Sequence, residues 1–276
     1  AATGLAVATD LRYYWIATGY LSEGRRCLTR LLERETGQND ARLTALCLAA
    51  RLAILQGDMT AAEPVLDESQ ELSVRLGGVA GIAAATYVRG IAAVYQGDLP
   101  EGLPLLDEAR AGFRAVGDDA EVANASVHVA AALFHLGHSH RAIDVYREGL
   151  AMSERAGEAW FRSCARWMLG VAMLSQGEID RAVAAEREGI RLKQPFNDRL
   201  GIALCVEALA WASAAADRPR QAARLLGAAH TFFRDIGAEL FGNLTSYREA
   251  CAATARRAIG DAEYDAAFAD GPARGR

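Results

Sequence analysis

The sequence predicts an all-α fold, a superhelical stack of antiparallel helix pairs, on three observations. These are a repeat of 40 residues, two punctuation points inside each repeat, and small side chains recurring at fixed places between them. Aligning the chain with itself brings Gln56-Gly57-Asp58, Gln96-Gly97-Asp98, Leu136-Gly137-His138 and Gln176-Gly177-Glu178 into register, with Ala216-Asp217-Arg218 as a degenerate fifth copy. A second column follows 20 residues later at Gly77, Gly117, Gly157 and Gly237, with Asn197 in the remaining place. Glycine and asparagine tolerate the left-handed conformation that ends a helix.

Each repeat therefore holds two helical segments of about 16 to 18 residues joined by short turns. The segments are amphipathic by period: Leu99, Leu103, Leu106 and Ala109 fall three or four apart, as do Ile143, Tyr146 and Leu150. Asp40, Asp58, Asp98, Ser139 and Asp198 stand where helices should begin and are expected to cap free backbone amides.

Small residues form two further columns. Ala50, Gly90, Ala130, Gly170 and Ala210 lie in the first helix of each pair, and Ala62, Gly102, Ala142, Ala182 and Ala222 in the second. Glycine inside a helix costs about 1 kcal/mol relative to alanine, so Gly90 and Gly170 imply close approach of a neighbouring helix. Leu66, Leu106, Tyr146 and Leu226 supply a large apolar column beside them, which Glu186 interrupts.

The spacing of Gly90, Gly97, Gly102, Leu106 and Ala109 resembles the tetratricopeptide repeat, and Gly170, Gly177, Ala182 and Gly189 follow it with Glu186 out of place. The resemblance covers about residues 41 to 237 and implies a tetratricopeptide-like α-α superhelix whose first helices line a concave inner side. The step is longer than usual for that family. HEAT repeats have a similar step, but no recurring proline or aspartate–arginine ladder is present.

The ends narrow the resemblance. Leu11-Arg12-Tyr13-Tyr14-Trp15 with Gly19 to Arg26, and Ala222 to Ala229 with Ile236-Gly237-Ala238 and Tyr264 to Gly271, resemble the helical-repeat region of actinobacterial signal-transduction ATPases (STAND) and LuxR-type transcriptional regulators. That resemblance implies an ATP-binding regulatory domain before the repeats and often a helix-turn-helix after them. The chain starts Ala1-Ala2-Thr3 and is expected to be part of a longer parent.

The expected organisation is one domain over 1–270: an opening helix pair over 1–38, five repeats over 41–237 and C-terminal cap helices over 239–270. The cap helices are placed at Leu244 to Ile259 and Asp261 to Phe268, with a frayed tail over 271–276.

Composition excludes several functions. The formal charge of −5 argues against direct nucleic-acid binding, and arginines interleaved with acids, as in Glu186-Arg187-Glu188 and Glu154-Arg155, read as a solvated, paired helix face. Cys27, Cys47, Cys164, Cys205 and Cys251 are scattered without a Cys-x-x-Cys pair, which suits reduced thiols in a cytoplasm. No apolar run long enough for a membrane span and no signal-peptide pattern is visible. No phosphate-binding glycine loop, zinc-protease or nucleophile motif occurs, and Lys193, the sole lysine, has no glycine loop beside it. The chain is therefore expected to be no enzyme and to need no cofactor. His128, His135, His138 and His140 are the one cluster to weigh as a metal site; the alternative, solvated turn histidines, is preferred.

Carrying the helix phase of the resemblance onto this sequence places Arg51, Tyr87, Tyr95, Asn124, His135, Trp167, Glu207 and Trp211 on the inner side, with Cys47 and Ser175. These residues would suit a protein, a peptide or a small polar effector; the competing reading is aromatic packing between helices. The lysine–asparagine clamp of chaperone-tail adaptors is missing, since those positions hold Cys47, Tyr87, Val127, Trp167 and Glu207. The expected function is a non-catalytic sensor module of a cytoplasmic transcriptional regulator, contacting an effector, a partner or neighbouring domains of the parent. The alternative is a stand-alone protein- or peptide-binding scaffold.

Overall fold

The computed structural model describes residues 2–155 and 159–271, and among them the ordered elements are helices, with no strand. Backbone contacts divide the chain into two compact units. The first comprises Ala1–Gly157 with Phe241–Asn243, the second Glu158–Leu240 with Leu244–Arg276. In the first unit α1 (Ala2–Asp10), α2 (Arg12–Thr18) and α3 (Leu21–Arg34) precede three hairpins: α4 (Asp40–Leu55) with α5 (Met59–Leu76), α6 (Val79–Gln96) with α7 (Leu99–Ala115), and α8 (Asp119–His135) with α9 (Ser139–Arg155). The second unit holds α10 (Ala159–Ser175) with α11 (Ile179–Lys193), α12 (Arg199–Ala215) with α13 (Pro219–Ile236), then α14 (Thr245–Ile259) and α15 (Asp261–Asp270), both packed on α13. The second helices of the five hairpins begin at 59, 99, 139, 179 and 219, so the 40-residue step is kept on both sides of the division. This is the tetratricopeptide-like stacking of helix pairs that the repeat predicts. None of the described helices is long and apolar enough to cross a membrane.

Backbone sterics explain the punctuation. Gly57, Gly97, Gly137 and Gly177 all have φ between 71° and 91°, and Asp217 takes the same region at 55°. Gly77, Gly117 and Gly237 do likewise, with Asn197 at 50°; Gly157 lies outside the described residues. Asp58, Asp98, Asp118 and Asp198 each accept a hydrogen bond from the amide three residues on, which satisfies one otherwise free donor of the first turn. Two expected caps are corrected. Asn39 caps α4, bonded to the Arg42 amide at 3.0 Å, and Asp40 sits in the first turn. Ser139 is the first residue of α9 rather than its cap, and its side chain lies outside the described residues.

The small columns are where hairpins close. Ala50, Ala130, Ala210, Ala62 and Ala222 are fully buried. A Cβ on Gly90 would stand 2.9 Å from Leu106 Cγ, and one on Gly102 would stand 2.6 Å from Val94 Cγ2. Glycine is retained in these helices because the partner helix occupies the space of a methyl group. At Gly170 the occupant is different: Glu186 fills the place of the large apolar column, and a Cβ on Gly170 would lie 2.2 Å from its carboxylate. Glu186 is 1% exposed and neither oxygen has a hydrogen-bond partner. Burial raises the Glu186 pKa well above the usual carboxylate range, against smaller lowering effects of the Cys205 and Lys193 side chains.

The opening segment departs from the expected helix pair, because it forms three helices. The first breaks at Leu11 and the second ends at Gly19, which takes φ 81°. The Trp15 indole N–H donates to the Ala8 carbonyl at 2.9 Å, which occupies an acceptor that the break leaves open. The second unit holds a feature the repeat does not announce: Lys193 turns inward. Its Nζ lies 2.9 Å from Asp198 Oδ2, 3.0 Å from Ser163 Oγ and 3.6 Å from Cys164 Sγ, and both members of the ion pair are nearly inaccessible. Asp198 Oδ1 also caps α12 on the Gly201 amide at 2.8 Å. A Cβ on Gly201 would stand 2.5 Å from Nζ, so this glycine makes room for the ammonium.

Candidate binding site

The first helices of the hairpins in the first unit, α4, α6 and α8, share a cavity of about 240 Å³ with the junction of α1 and α2. Thr9 and Arg12 close it from that junction, Cys47, Leu48 and Arg51 come from α4, Ala84, Tyr87 and Val88 from α6, and Glu121 from α8. The amphipathic period supplies this register, since Cys47 and Arg51 stand four apart, as do Ala84 and Val88, each pair on one helix face.

At the polar end, Arg51 is half-buried. Its Nη2 reaches Asn124 Oδ1 at 3.5 Å and its guanidinium lies 5.8 Å from the centre of the Tyr87 ring. Among the described residues no carboxylate lies within ion-pair distance of it. Asn124 donates through Nδ2 to Glu121 Oε2 at 3.0 Å, and Glu121 Oε1 meets Arg12 at 3.5 Å. The Glu121 carboxylate is thus shared between an amide and another arginine.

Tyr87 and Tyr95 converge on His128. Tyr87 Oη lies 3.1 Å from Nδ1 and Tyr95 Oη 3.4 Å from Nε2, while Nδ1 is also 3.2 Å from the Asn124 carbonyl oxygen. A carbonyl only accepts, and a bare ring nitrogen at this distance would set two lone pairs against each other. We therefore assign the proton to Nδ1, where it is shared between the Asn124 carbonyl and the Tyr87 oxygen, with Tyr95 O–H donating to Nε2. The Tyr87 proton is then left for another acceptor. Burial, with Arg51 nearby, lowers the His128 pKa to about 3, so the ring is neutral at physiological pH. Phe113 meets Tyr87 edge-on at 6.0 Å, and Phe241 stacks on Tyr95 at 4.0 Å. The Cys47 thiol is pushed up to about 12 by burial, which keeps it protonated and a poor nucleophile.

Arg51, Tyr87, Tyr95 and Asn124, all expected on the inner side, are brought together here. His135 is not; it stands at the end of α8 beside Phe134, with ring centres 5.4 Å apart. Trp167, Glu207 and Trp211 belong to the second unit, and there the inner face is used for packing. Glu207 is fully buried and takes two hydrogen bonds from Arg248 at 2.9 and 2.7 Å and one from Trp211 Nε1 at 3.2 Å. Trp211 stacks on Tyr247 at 5.2 Å, so α14 lies over both residues. Trp167 is 8% exposed, and Ser175 is exposed. Among the described residues no three His, Cys, Asp or Glu side chains converge as metal ligands. His138 and His140 are exposed in and after the turn, whereas His128 serves the tyrosines.

Arg12, Glu121 and Phe241 were missed as members of the site. Glu121 had a signal, since it lies three residues before Asn124 on one helix face. Arg12 and Phe241 had none, because they lie outside the repeats whose phase marks the inner side.

A second hollow, of about 680 Å³, lies beside α3 and contains Arg25, Arg26 and Arg30. Arg25 is matched by Asp58 at 2.8 Å and Gln56 at 2.7 Å, and Arg26 by Glu23 at 3.4 Å. Its cations are largely neutralised within the chain.

Comparison with known proteins agrees with this architecture. A family model described as a tetratricopeptide repeat matches residues 81–155, the stretch that contains the best-formed copy of the repeat. Among solved structures, the chain is similar to a Rap protein complexed with competence and sporulation factor, at 14% identity and a TM-score of 0.66, over 96% of this chain and 78% of that one. It is also similar to BtubC from P. vanneervenii, at 17% identity and a TM-score of 0.53, over 81% of this chain and 92% of that one. No curated protein matches it significantly in sequence. At these identities the likeness speaks to the fold alone.

Proposed function

We propose that this chain is a non-catalytic binding module whose inner helices in the first unit receive a partner protein, a peptide or a small effector. The observation that carries this reading is the cavity that Arg51 and Tyr87 line, with Asn124 hydrogen-bonded to Arg51 and His128 meeting Tyr87 and Tyr95. Packing alone calls for apolar side chains at such positions, and a half-buried arginine with one marginal hydrogen bond is costly there unless something uses it. The Rap protein similar in fold was solved with a bound factor, which is in keeping with binding on such a scaffold.

The wider setting we propose is the sensor region of a cytoplasmic transcriptional regulator of the LuxR or STAND type. It is supported by the resemblance of residues 11 to 26 and of the closing helices to that family. Binding would shift the parent between two states by favouring one of them.

Photo-crosslinking tests the binding reading. A crosslinking amino acid at Thr44, on the cavity, should capture a defined partner in cells, while the same group at exposed Glu71 should not. Equal yields from the two positions, or none from Thr44, would refute it. The regulator setting is tested by the reading frame around this segment, where a nucleotide-binding domain or a helix-turn-helix is expected.

A further inference from the structure

We infer that the cavity at Arg51 is a receptor site for a small monocarboxylic acid with an apolar tail. The inference rests on the binding-module reading and names the ligand class for the same site.

Charge accounting comes first. Half-buried arginines elsewhere in this chain are met by carboxylates: Arg42 by Glu68 at 2.5 Å, Arg89 by Glu63 at 2.8 Å, Arg25 by Asp58 at 2.8 Å. Arg51 has only a marginal contact to Asn124 and the face of Tyr87, with no carboxylate in range among the described residues. The acids near the cavity are already engaged. Glu121 serves Asn124 and Arg12, and Asp118 caps α8 through the Glu121 amide at 3.0 Å. A guanidinium offers five N–H donors in a planar fork, and an oxygen pair fits that fork best.

The neighbouring donor points the same way. With the His128 proton on Nδ1, the Tyr87 hydroxyl has its own proton to give, and Tyr87 lines the cavity beside Arg51. The polar end therefore holds the Arg51 guanidinium with the Tyr87 ring beside it, and its two carboxylates, Asp118 and Glu121, are occupied by the contacts given above. A dianion such as phosphate is disfavoured, because Asp118 and Glu121 also line the cavity and their repulsion grows with each negative charge on the ligand. A single negative charge fits.

The rest of the wall sets the tail. Leu48, Ala80, Ala84, Val88 and Phe113 are apolar and face the same space. The volume of about 240 Å³ is just below the range of drug-sized pockets, which suits a small acid such as hexanoate, benzoate or phenylacetate. Burying such a tail adds affinity in proportion to its apolar area.

The test is a titration of the full chain by calorimetry and ligand-observed NMR with acetate, hexanoate, benzoate and phenylacetate, each beside its primary amide. At least one tailed acid should bind about tenfold or more tightly than acetate and than its own amide. Arg51→Gln should remove the advantage of acid over amide. Ala84→Phe, which fills the tail space and leaves Arg51 in place, should abolish binding of the tailed acids. Amides binding as well as acids, acetate binding as well as the tailed acids, or no binding by any of the four would overturn the inference. Because the acid–amide comparison is made on the unaltered chain, it decides even if a variant fails to fold. A partner still crosslinked from Thr44 in any of those cases would leave the binding-module reading standing, so the two failures are separable.

Discussion

The inner helices of the two units carry similar side chains and use them differently. In the second unit the buried charge on the inner helix is Glu207, and α14 brings Arg248 onto it with two hydrogen bonds, while Tyr247 covers Trp211. In the first unit Arg51 has, among the described residues, no carboxylate within ion-pair distance, and one marginal contact to Asn124. Polar residues on an inner face are therefore not in themselves a sign of binding. The sign is an incomplete set of partners, since buried polar groups in folded proteins are almost always matched. By that measure the inner face at Glu207 is finished and the one at Arg51 has a place left.

The largest effect should come from undoing the finished pairing. Arg248→Ala leaves Glu207 buried and without its cation, and is expected to cost about 3–5 kcal/mol in urea or thermal unfolding. Adding Glu207→Leu to Arg248→Ala should recover most of that loss, because removing both charges avoids the uncompensated one. A double variant as unstable as the single would show that α14 is held by other contacts. Lys193→Met tests the other buried pair of the second unit. It should cost about 3 kcal/mol, in part offset because Asp198 keeps its bond to the Gly201 amide.

Glu186 gives an intermediate effect with a sign set by pH. The Gly90–Leu106 and Gly170–Glu186 contacts occupy equivalent places in two hairpins, one apolar and one acidic. Burial raises the folded-state Glu186 pKa above its ordinary value of 4.5, although Lys193 pulls it back somewhat. The folded chain therefore binds this proton more tightly than the unfolded chain. Stability from this group is greatest below 4.5 and falls as pH rises toward the folded value, by at most about 1.4 kcal/mol per pH unit. Glu186→Leu, which copies the Gly90–Leu106 contact, should raise the melting temperature at pH 8 and flatten the fall between pH 5 and 8. A variant whose pH profile parallels the parent would show that other groups govern that range.

The smallest expected effect on stability is at the unfinished site. Arg51→Gln should change the unfolding free energy by less than about 1 kcal/mol, since the arginine has one marginal hydrogen bond to lose. A loss of 3 kcal/mol or more would make Arg51 part of the packing, and the contrast between the units would disappear.

Much of the fold was legible because its signals are local. Gly57, Gly97, Gly137 and Gly177 mark turns where the backbone must take positive φ, and the columns through Gly90 and Gly102 mark where a Cβ has no room. The cap helices at Thr245–Ile259 and Asp261–Asp270 fall within a residue or two of their expected bounds. The site was legible in part. Helix phase located Arg51, Tyr87, Tyr95 and Asn124, but it marked Glu207 and Trp211 in the same way, and phase cannot say whether another helix will cover a face. His128 was weighed as a metal ligand because the cluster of histidines was visible, whereas its tyrosine partners lie 41 and 33 residues away.

By itself, then, the sequence determined the helical hairpins, their 40-residue rhythm and the faces they turn inward, because each depends on the sterics of a few neighbouring residues. Only the tertiary structure decided which charges are paired. Arg12 meets Glu121 and Arg248 meets Glu207 through packing between helices far apart in the chain, and Arg51 is left over by that packing. An ion pair depends on where two side chains end up in space, and no local pattern records that.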